Sequence, residues 1–275
     1  MTFRIAQISD THLSHDKPFF VDNFRRIGEA LRSERPDLVL NTGDVSLDGA
    51  SHESDLAAAR TLHDALGLPV RYLPGNHDLG DNQDSHAPGE PAIGERRRAR
   101  YCTHFGPDFW TLDVPGWRLL GVNAQLLGSD LAAAPAQDAA IAAAAATLGA
   151  LKLALFVHKP LFDQAAGETA ITGRFLGPGP RRALLAALGE VVPDLVASGH
   201  VHQFRDSWPA GQHHVWAPST GFVIPDRVQP CYGLKEVGWV EHRLERDGTH
   251  QSRLVRVPGV PTLDIADFPQ VYGPL

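Results

Sequence analysis

Side chains of the types that bind metal ions occur in five short motifs along this 275-residue sequence. Two motifs hold the pairs Asp10-x-His12 and His200-x-His202, and side chains two positions apart in an extended segment point to the same side. No cysteine accompanies them, so the set suits Mn, Fe, Zn, Co or Ni and disfavours a thiolate-type structural zinc site. The candidate ligands are Asp10, His12, Asp44, Asn76, His158, His200 and His202.

The number of candidate ligands indicates two metal ions rather than one. Seven ligands exceed the needs of a typical single site, and a carboxylate such as Asp44 can bridge two ions because it offers two oxygens. Gly43, Gly75 and Gly199 each precede a candidate ligand, and glycine permits the sharp turns that bring the backbone close to a metal ion. A dinuclear centre is therefore predicted.

Each candidate also has an ordinary structural interpretation. Asp44 after a glycine can be a turn residue or a helix cap, Asn76 can be a turn asparagine, and a single histidine more often packs, caps or faces water. These interpretations would all have to hold together, in chain order and at strand ends. The joint pattern therefore favours a metal site.

Five short apolar runs lead into these motifs, which places the candidate ligands at the ends of predicted strands. Helical patterns lie between the runs, as in residues 22–34, where Phe24, Ile27 and Leu31 form one apolar face. Alternating strands and helices indicate an α/β protein, in which ligands bind outside the carboxyl ends of the strands. We therefore expect all five motifs at one edge of one sheet. The runs are 5–8, 38–40, 70–73, 151–157 and 195–197.

The rest of the chain contributes further elements and two added segments. Residues 119–122 are a further apolar run, expected in the same sheet, and residues 213–257 contain three strand patterns, expected to be antiparallel and to complete a second sheet. Residues 79–115 are rich in proline, glycine and charge, and we interpret them as an insertion near the site with a helix at 95–105. Residues 258–275 are interpreted as a C-terminal extension.

Composition and charge argue against several classes of protein. Hydrophobic residues make up 43% and charged residues 21%, as in ordinary globular proteins, and the net charge of −7 offers no basic footprint for long nucleic acid. Cys102 and Cys231 show no disulfide pattern, and no run approaches the roughly 18 apolar residues of a transmembrane helix. The N-terminus lacks a signal-peptide pattern. A cytoplasmic location without membrane association is the expectation.

The ordered motifs resemble the calcineurin-like metallophosphoesterase superfamily over about residues 3–220. The resemblance implies an α/β fold, a four-layer α/β/β/α sandwich of two mixed sheets with outer helices, in a single domain spanning residues 1–275. It also implies that one metal ion is held by Asp10, His12 and His202, the other by Asn76, His158 and His200, with Asp44 as the bridge. The motifs are Asp10-x-His12, Gly43-Asp44, Gly75-Asn76-His77-Asp78, His158 and Gly199-His200-x-His202.

The same resemblance implies a reaction. A hydroxide shared by the two ions would attack phosphorus in line with the leaving group. His77 is implied as the catalytic residue that faces the phosphate, where it can donate to a phosphate oxygen or protonate the leaving alkoxide. Asp78 has two interpretations, since it can orient His77 or act as a turn or capping carboxylate.

Within the superfamily, the chain looks closest to bacterial cyclic-nucleotide and glycerophosphodiester phosphodiesterases, which implies a small phosphodiester substrate. Those relatives usually carry a second histidine directly after the ligand that His158 matches, whereas this chain has Lys159. Lys159 is either solvated or adds positive charge near the substrate. Segments 79–115 and 162–180 are expected to determine specificity. The candidate substrate contacts are His86, the arginines of residues 96–100, Lys159 and Arg174.

Other functions are compatible with the same residues. A phosphomonoesterase or a nuclease could use the same metal site, although the acidic balance argues against long nucleic-acid substrates. A binding module that kept the fold and lost catalysis should lack ligands or the His77 position, whereas this chain has the full set. The resemblance also allows a homodimer, because related phosphodiesterases often associate through added segments.

Overall fold

Two mixed β-sheets face each other in the computed structural model of the chain, which describes residues 2–83 and 91–273. Numbered along the chain, the strands of the first sheet are β1 (Thr2–Ile8), β2 (Leu38–Asn41), β3 (Val70–Tyr72), β10 (Trp239–Glu245) and β11 (His250–Val255). Those of the second sheet are β4 (Trp110–Val114), β5 (Trp117–Val122), β6 (Lys152–Val157), β7 (Leu195–Ser198), β8 (Arg205–Ser207) and β9 (His213–Trp216). The strand orders are β11-β10-β1-β2-β3 and β4-β5-β6-β7-β9-β8.

Each sheet has a parallel centre and antiparallel additions. In the first sheet β1, β2 and β3 are parallel, while β10 and β11 extend the other side of β1 in antiparallel pairing. In the second sheet β5, β6, β7 and β9 are parallel, and β4 and β8 are antiparallel edge strands. Parallel strands end at the same edge of a sheet, so the residues that follow them gather there.

Helices cover the outer face of each sheet. Helices α1 (Val21–Glu34) and α2 (Glu53–Asp64) pack their apolar faces on the first sheet, and α5 (Ala134–Ala146) and α6 (Pro178–Leu188) pack on the second. The remaining helices are α3 (Asn76–Leu79), α4 (Glu95–Phe105), α7 (Pro269–Tyr272) and the short 3₁₀ turns Pro209–Gly211 and Ile265–Asp267.

The core between the sheets is formed by apolar residues of both. Ile5 and Leu40 of the first sheet share one buried cluster with Leu119 and Phe156 of the second. Central strands such as β2, β6 and β7 therefore bury both faces, one against the other sheet and one against helices, which explains their nearly continuous apolar runs. The four-layer α/β/β/α sandwich expected from the sequence is confirmed.

The assignment of strands to sheets differs from the expectation. The five motif-bearing strands were expected in one sheet, but β1, β2 and β3 belong to the first and β6 and β7 to the second. An apolar run shows that a strand is buried, but it does not show which strand lies beside it. The residues 119–122 likewise fall in the second sheet, as part of β5.

The strands of the C-terminal third also differ. β9 pairs in parallel with β7, and β10 and β11 extend the first sheet instead of completing the second. Within segment 79–115 the expected helix is present as α4, but the segment also contains the strand β4. In the described part of the chain, no helix combines the length and apolar character needed to cross a bilayer.

Candidate metal centre

The motifs that follow β1, β2, β3, β6 and β7 meet where the two sheets face each other. Within the first sheet the backbone N–H of Asp10 donates to the Gly43 carbonyl at 2.9 Å, and within the second the N–H of Gly199 donates to the His158 carbonyl at 2.9 Å. Across the sheets, the N–H of His200 donates to Asp10 Oδ2 at 2.9 Å. The loops thus form one hydrogen-bonded unit.

All seven predicted ligands and His77 lie in this unit. Asn76 Oδ1 is 3.2 Å from His158 Nε2, and the other side chains form overlapping groups whose donor atoms lie within 4.8 Å of one another. Their role as ligands stays a prediction, but their proximity is observed. The groups are Asp10, His12 and His202; Asp44, His158 and His200; and His12, Asp44 and His77.

Asp44 lies between the groups. Its Oδ2 is 3.8 Å from His12 Nε2 and 3.3 Å from His158 Nε2. Its Oδ1 accepts the backbone N–H of His77 at 2.9 Å, which fixes the orientation of the carboxylate. One oxygen of Asp44 therefore lies between two histidines that belong to different groups.

Backbone carbonyls orient three of the histidine rings. A carbonyl can only accept, so the ring nitrogen that faces it carries the hydrogen, and the other nitrogen presents a lone pair to the centre. The lone pairs that face the centre are thus those of His158 Nε2, His202 Nε2 and His200 Nδ1. The bonds are His158 Nδ1 to Thr42 at 2.9 Å, His202 Nδ1 to Phe222 at 3.0 Å and His200 Nε2 to Gly173 at 2.9 Å.

The donor atoms are arranged as metal ions require. His12 Nε2 is 3.1 Å from His202 Nε2, and His158 Nε2 is 3.1 Å from His200 Nδ1. Two nitrogen lone pairs at this distance repel each other unless a proton or a cation lies between them. Asp10 Oδ1 is buried and has no hydrogen-bond partner among the described residues. A buried acceptor left unsatisfied costs about 1–3 kcal/mol. The donor set therefore fits metal ions.

Burial and neighbouring charges set the protonation states. Burial, followed by charge repulsion, holds the pKa of His12 and of His200 well below the ordinary value. Burial also opposes protonation of His158, but attraction to Asp44 outweighs it and raises the pKa of His158 to about 9. Without metal, Nε2 of His158 therefore carries a proton, and a bound metal ion would displace that proton to reach the lone pair. Burial opposes ionisation of Asp44, yet the positive charge of His158 takes the Asp44 pKa well below its ordinary value. A carboxylate at Asp44 and neutral rings at His12 and His200 are the forms that bind metal.

The backbone of the centre is strained. Seven non-glycine residues among those described have positive φ, and five of them are candidate ligands. Left-handed backbone costs roughly 1–2 kcal/mol for most residues, with Asp and His among the more tolerant types. Such strain persists only where the surroundings enforce it, and it clusters at functional sites. The five are Asp10 (φ 52°), His12 (44°), Asp44 (49°), His200 (69°) and His202 (53°).

The three glycines of the motifs serve two purposes. Gly43 has a φ of 114° and supplies the sharp turn expected from the sequence. Gly75 and Gly199 do not have positive φ; instead a Cβ on Gly75 would collide with the Asp44 side chain, and one on Gly199 would collide with that of Asp10. These two glycines permit close approach of carboxylate and backbone.

His77 is half-buried, and its ring is oriented by the Leu47 carbonyl, which lies 2.8 Å from Nδ1. The two oxygens of Asp78 accept bonds from the turn itself, from the N–H of Gly75 at 2.8 Å and from the N–H and hydroxyl of Ser46 at 2.8 and 2.6 Å. The geometry thus favours the turn or capping interpretation of Asp78 over one in which it orients His77.

Lys159 is not solvated, contrary to one of the two interpretations. Its side chain is fully buried, and Nζ donates to both oxygens of Asp81 at 2.6 and 2.7 Å. The buried partner carboxylate, supplied by a distant segment, explains the difference. Because Asp81 neutralises the charge, Lys159 is not an unpaired cation for substrate.

Apart from Arg96, which is exposed, the other candidate substrate contacts have structural partners or lie outside the described residues. Arg98 binds a buried carboxylate, and Arg100 donates to two backbone carbonyls at 2.6 Å. Arg174 donates to a backbone carbonyl at 3.3 Å. His86 lies outside the described residues.

A cleft of about 340 Å³ opens beside Asn76 and His77 and is lined by the C-terminal Tyr272. The Tyr272 hydroxyl lies 3.3 Å from His12 Nδ1. Sequence reasoning missed this residue, because it lies in the extension 258–275, far along the chain from the last motif and without any characteristic spacing.

Comparisons with known proteins agree with this geometry. The family model for calcineurin-like phosphoesterases matches residues 3–204. A probable cyclic nucleotide phosphodiesterase of Synechococcus sp. is 26% identical over 270 residues, which cover 92% of this chain and 92% of that protein. The 3′,5′-cyclic adenosine monophosphate phosphodiesterase CpdA of Pseudomonas aeruginosa is 27% identical over 138 residues, 46% of this chain and 43% of that one.

Among solved structures, purple acid phosphatase PPD1 from yellow lupin (Lupinus luteus) seeds is similar, with a TM-score of 0.63 and 15% sequence identity. The similarity covers 92% of this chain and 52% of the lupin chain, so this chain spans about half of that phosphatase. At such low identity the likeness shows the fold alone.

Proposed function

Because this chain belongs to the calcineurin-like phosphoesterase family of metal-dependent phosphoester hydrolases, we propose that it is a dinuclear phosphodiesterase acting on a small phosphodiester of the cyclic-nucleotide or glycerophosphodiester type. The observation that carries the dinuclear part is the position of Asp44 Oδ2 between His12 Nε2 and His158 Nε2. A carboxylate oxygen shared between two sets of donors is suited to bridge two ions.

The predicted ligands form two sets, one for each ion, and the sets follow the groups of neighbouring donor atoms described above. One ion would be held by Asp10, His12 and His202, the other by Asn76, His158 and His200, with Asp44 shared. When bound, the two ions supply activation of water at neutral pH and a clamp for the attacking and leaving oxygens of phosphoryl transfer.

His77 is the proposed catalytic residue among the side chains of the cleft. It lines the cleft, and its ring centroid lies 4.8 Å from that of His12, so it faces both the centre and the space where substrate would bind. In its imidazolium form His77 would keep Nδ1–H on the Leu47 carbonyl and could give its Nε2 proton to the leaving alkoxide, becoming the neutral Nδ1–H tautomer.

Two observations support a small diester. The cleft volume of about 340 Å³ is within the range of small-molecule sites. The Synechococcus relative, which is matched over 92% of its length, is named a probable cyclic nucleotide phosphodiesterase.

The test is hydrolysis by Mn-reconstituted protein on a diester panel and a monoester panel. The diesters are cyclic nucleotides, glycerophosphodiesters and a nitrophenyl diester. Wild type is expected to bind about two ions per chain and to prefer diesters, and His77→Ala is expected to lower kcat about 10²–10⁴-fold while still binding both ions. His104→Ala is the matched control and should keep full activity, because His104 is a half-buried residue of α4 that does not line the cleft.

Preference for monoesters would overturn the substrate class and leave the metal centre in place. An ion stoichiometry near zero after reconstitution would overturn the dinuclear proposal and favour a non-catalytic scaffold.

A further inference from the structure

We propose that Tyr272 is a positioning residue for the metal centre: its phenol oxygen lies 3.3 Å from His12 Nδ1, where it can accept the Nδ1–H once Nε2 binds a metal ion, and so hold Nε2 toward the other donors. This inference rests on the proposed function, since His12 is there a metal ligand. It assigns a specific task to the C-terminal segment, which the sequence identified only as an extension.

His12 differs from the other histidines of the centre in what holds its outer nitrogen. The rings of His158, His200 and His202 are held by backbone carbonyls. In the part of the chain that the structure describes, the contact of His12 Nδ1 is the Tyr272 hydroxyl, at 3.3 Å. A ligand histidine usually donates its second N–H to a fixed acceptor, and loss of that acceptor weakens metal binding.

The C-terminal segment is anchored well enough to hold the phenol in place. Val271 is buried in a cluster with Phe20, Leu47 and Phe222, and its carbonyl accepts the Lys17 ammonium group at 2.9 Å. These contacts fix both the backbone and the apolar side of α7 directly beside Tyr272.

A second anchor lies just before α7. Residues 263–265 pair with Val223, whose N–H donates to the Leu263 carbonyl at 2.8 Å and whose carbonyl accepts from Ile265 at 3.0 Å. Val223 follows Phe222, and the Phe222 ring lies 4.9 Å from that of His12 and 4.6 Å from that of His202. The C-terminal segment and the metal centre therefore share one packed unit.

Tyr272→Phe tests the proposal, because it removes the hydroxyl and keeps the ring that packs 5.7 Å from His77. Titration calorimetry of metal-free protein with Mn alone is the measurement. Wild type is expected to bind two ions, and Tyr272→Phe is expected to bind one of them roughly 10–100-fold more weakly with the other unchanged. Tyr232→Phe, which removes a hydroxyl in the separate cluster of Phe175 and Trp216, is the matched control and should bind both ions as wild type does.

The unfolding temperature of the metal-free variant separates positioning from a general structural effect, since Tyr272→Phe should leave it unchanged. A second measurement is ¹H–¹⁵N NMR of protein loaded with Zn, which is diamagnetic, to follow the Nδ1–H of His12. Its exchange with water is expected to be slow in wild type and faster in Tyr272→Phe.

Unchanged affinity for both ions in Tyr272→Phe would overturn this inference and leave the proposed function standing. No binding of Mn by the wild type would overturn both.

Discussion

At the residue scale, Gly199 shows how closely the backbone approaches a candidate ligand. A Cβ at this position would collide with the Asp10 side chain and with Ser9 Oγ. We expect Gly199→Ala to destabilise the protein by roughly 1–3 kcal/mol, as overpacking does, and to weaken metal binding because Asp10 must move. Urea unfolding and Mn titration measure the two effects.

Gly167→Ala is the matched control, since a Cβ there meets nothing within 4 Å. If Gly199→Ala has the same stability and Mn affinity as the wild type, the prediction is wrong, and the neighbouring Asp10 carboxylate can move without cost.

The sequence predicted that the candidate ligands lie together because each of them follows an apolar run and two pairs stand at a spacing of two, and the structure shows that they do lie together. Lys159 and Tyr272 could not be assigned, since their partners Asp81 and His12 are brought to them by the fold. Side-chain pairing across long sequence separations leaves no local pattern to recognise.

At the element scale, the ion pair of Lys159 and Asp81 joins the end of β6 to the turn after α3. Replacing a buried partner leaves the other charge uncompensated, so we expect Lys159→Met to lower the free energy of unfolding by about 3–5 kcal/mol. The backbone of Asp81 forms hydrogen bonds with Pro91 and Ile93, and Asp81 and Pro91 line the cleft. The same substitution should therefore make this side of the cleft more mobile. Urea denaturation measures the loss.

Lys152→Met is the matched control, because its ammonium pairs with Asp194 at 2.9 Å on the surface, where such pairs contribute at most about 1 kcal/mol. The double variant Lys159→Met with Asp81→Asn should recover part of the stability, since no buried charge remains. Equal losses for Lys159→Met and Lys152→Met would contradict the buried-pair argument.

Apolar patterns predicted where most strands and helices lie in the sequence, but they did not predict which strands pair with each other. The run 151–157 predicted β6, whereas its place in the second sheet follows from pairing with β5 and β7. β4 was missed because it is an edge strand whose side chains alternate between half-buried and exposed within a segment rich in proline and glycine. Edge strands bury too little apolar surface to form a continuous run.

At the scale of the whole molecule, buried neutral histidines make stability depend on pH. Burial lowers the pKa of His63 to about 4, and that of His242 to about 3. Between pH 6.5 and 4 the unfolded chain therefore binds more protons than the folded chain, and stability falls as the pH is lowered through this window. His63 alone should account for roughly 2 kcal/mol between pH 7 and 4.5.

Replacing His63 by Gln should remove its share of this slope. Urea unfolding of metal-free protein at pH 4.5 to 7.5 measures the slope, and comparison with His104→Gln controls for loss of a half-buried histidine of α4. Equal slopes in wild type and His63→Gln would contradict the prediction, because they would show that His63 takes up its proton equally well in the folded and the unfolded chain.

The layered architecture was predicted correctly through the family resemblance, not from periodicity, which had suggested one sheet for all five motifs. The single domain over residues 1–275, the homodimer and the cytoplasmic location stay predictions. Contacts within one chain determine neither the homodimer nor the location.

The left-handed backbone of five candidate ligands sets a limit on engineering this enzyme for robustness. Each such residue costs roughly 1 kcal/mol or more that glycine would not, so a screen for thermal stability of metal-free chains would enrich glycine at Asp10, His12, Asp44, His200 and His202. The most robust clones from such a screen would have lost the donors themselves. Selection should therefore be made with metal present throughout, so that gains in stability and retention of the centre are favoured together.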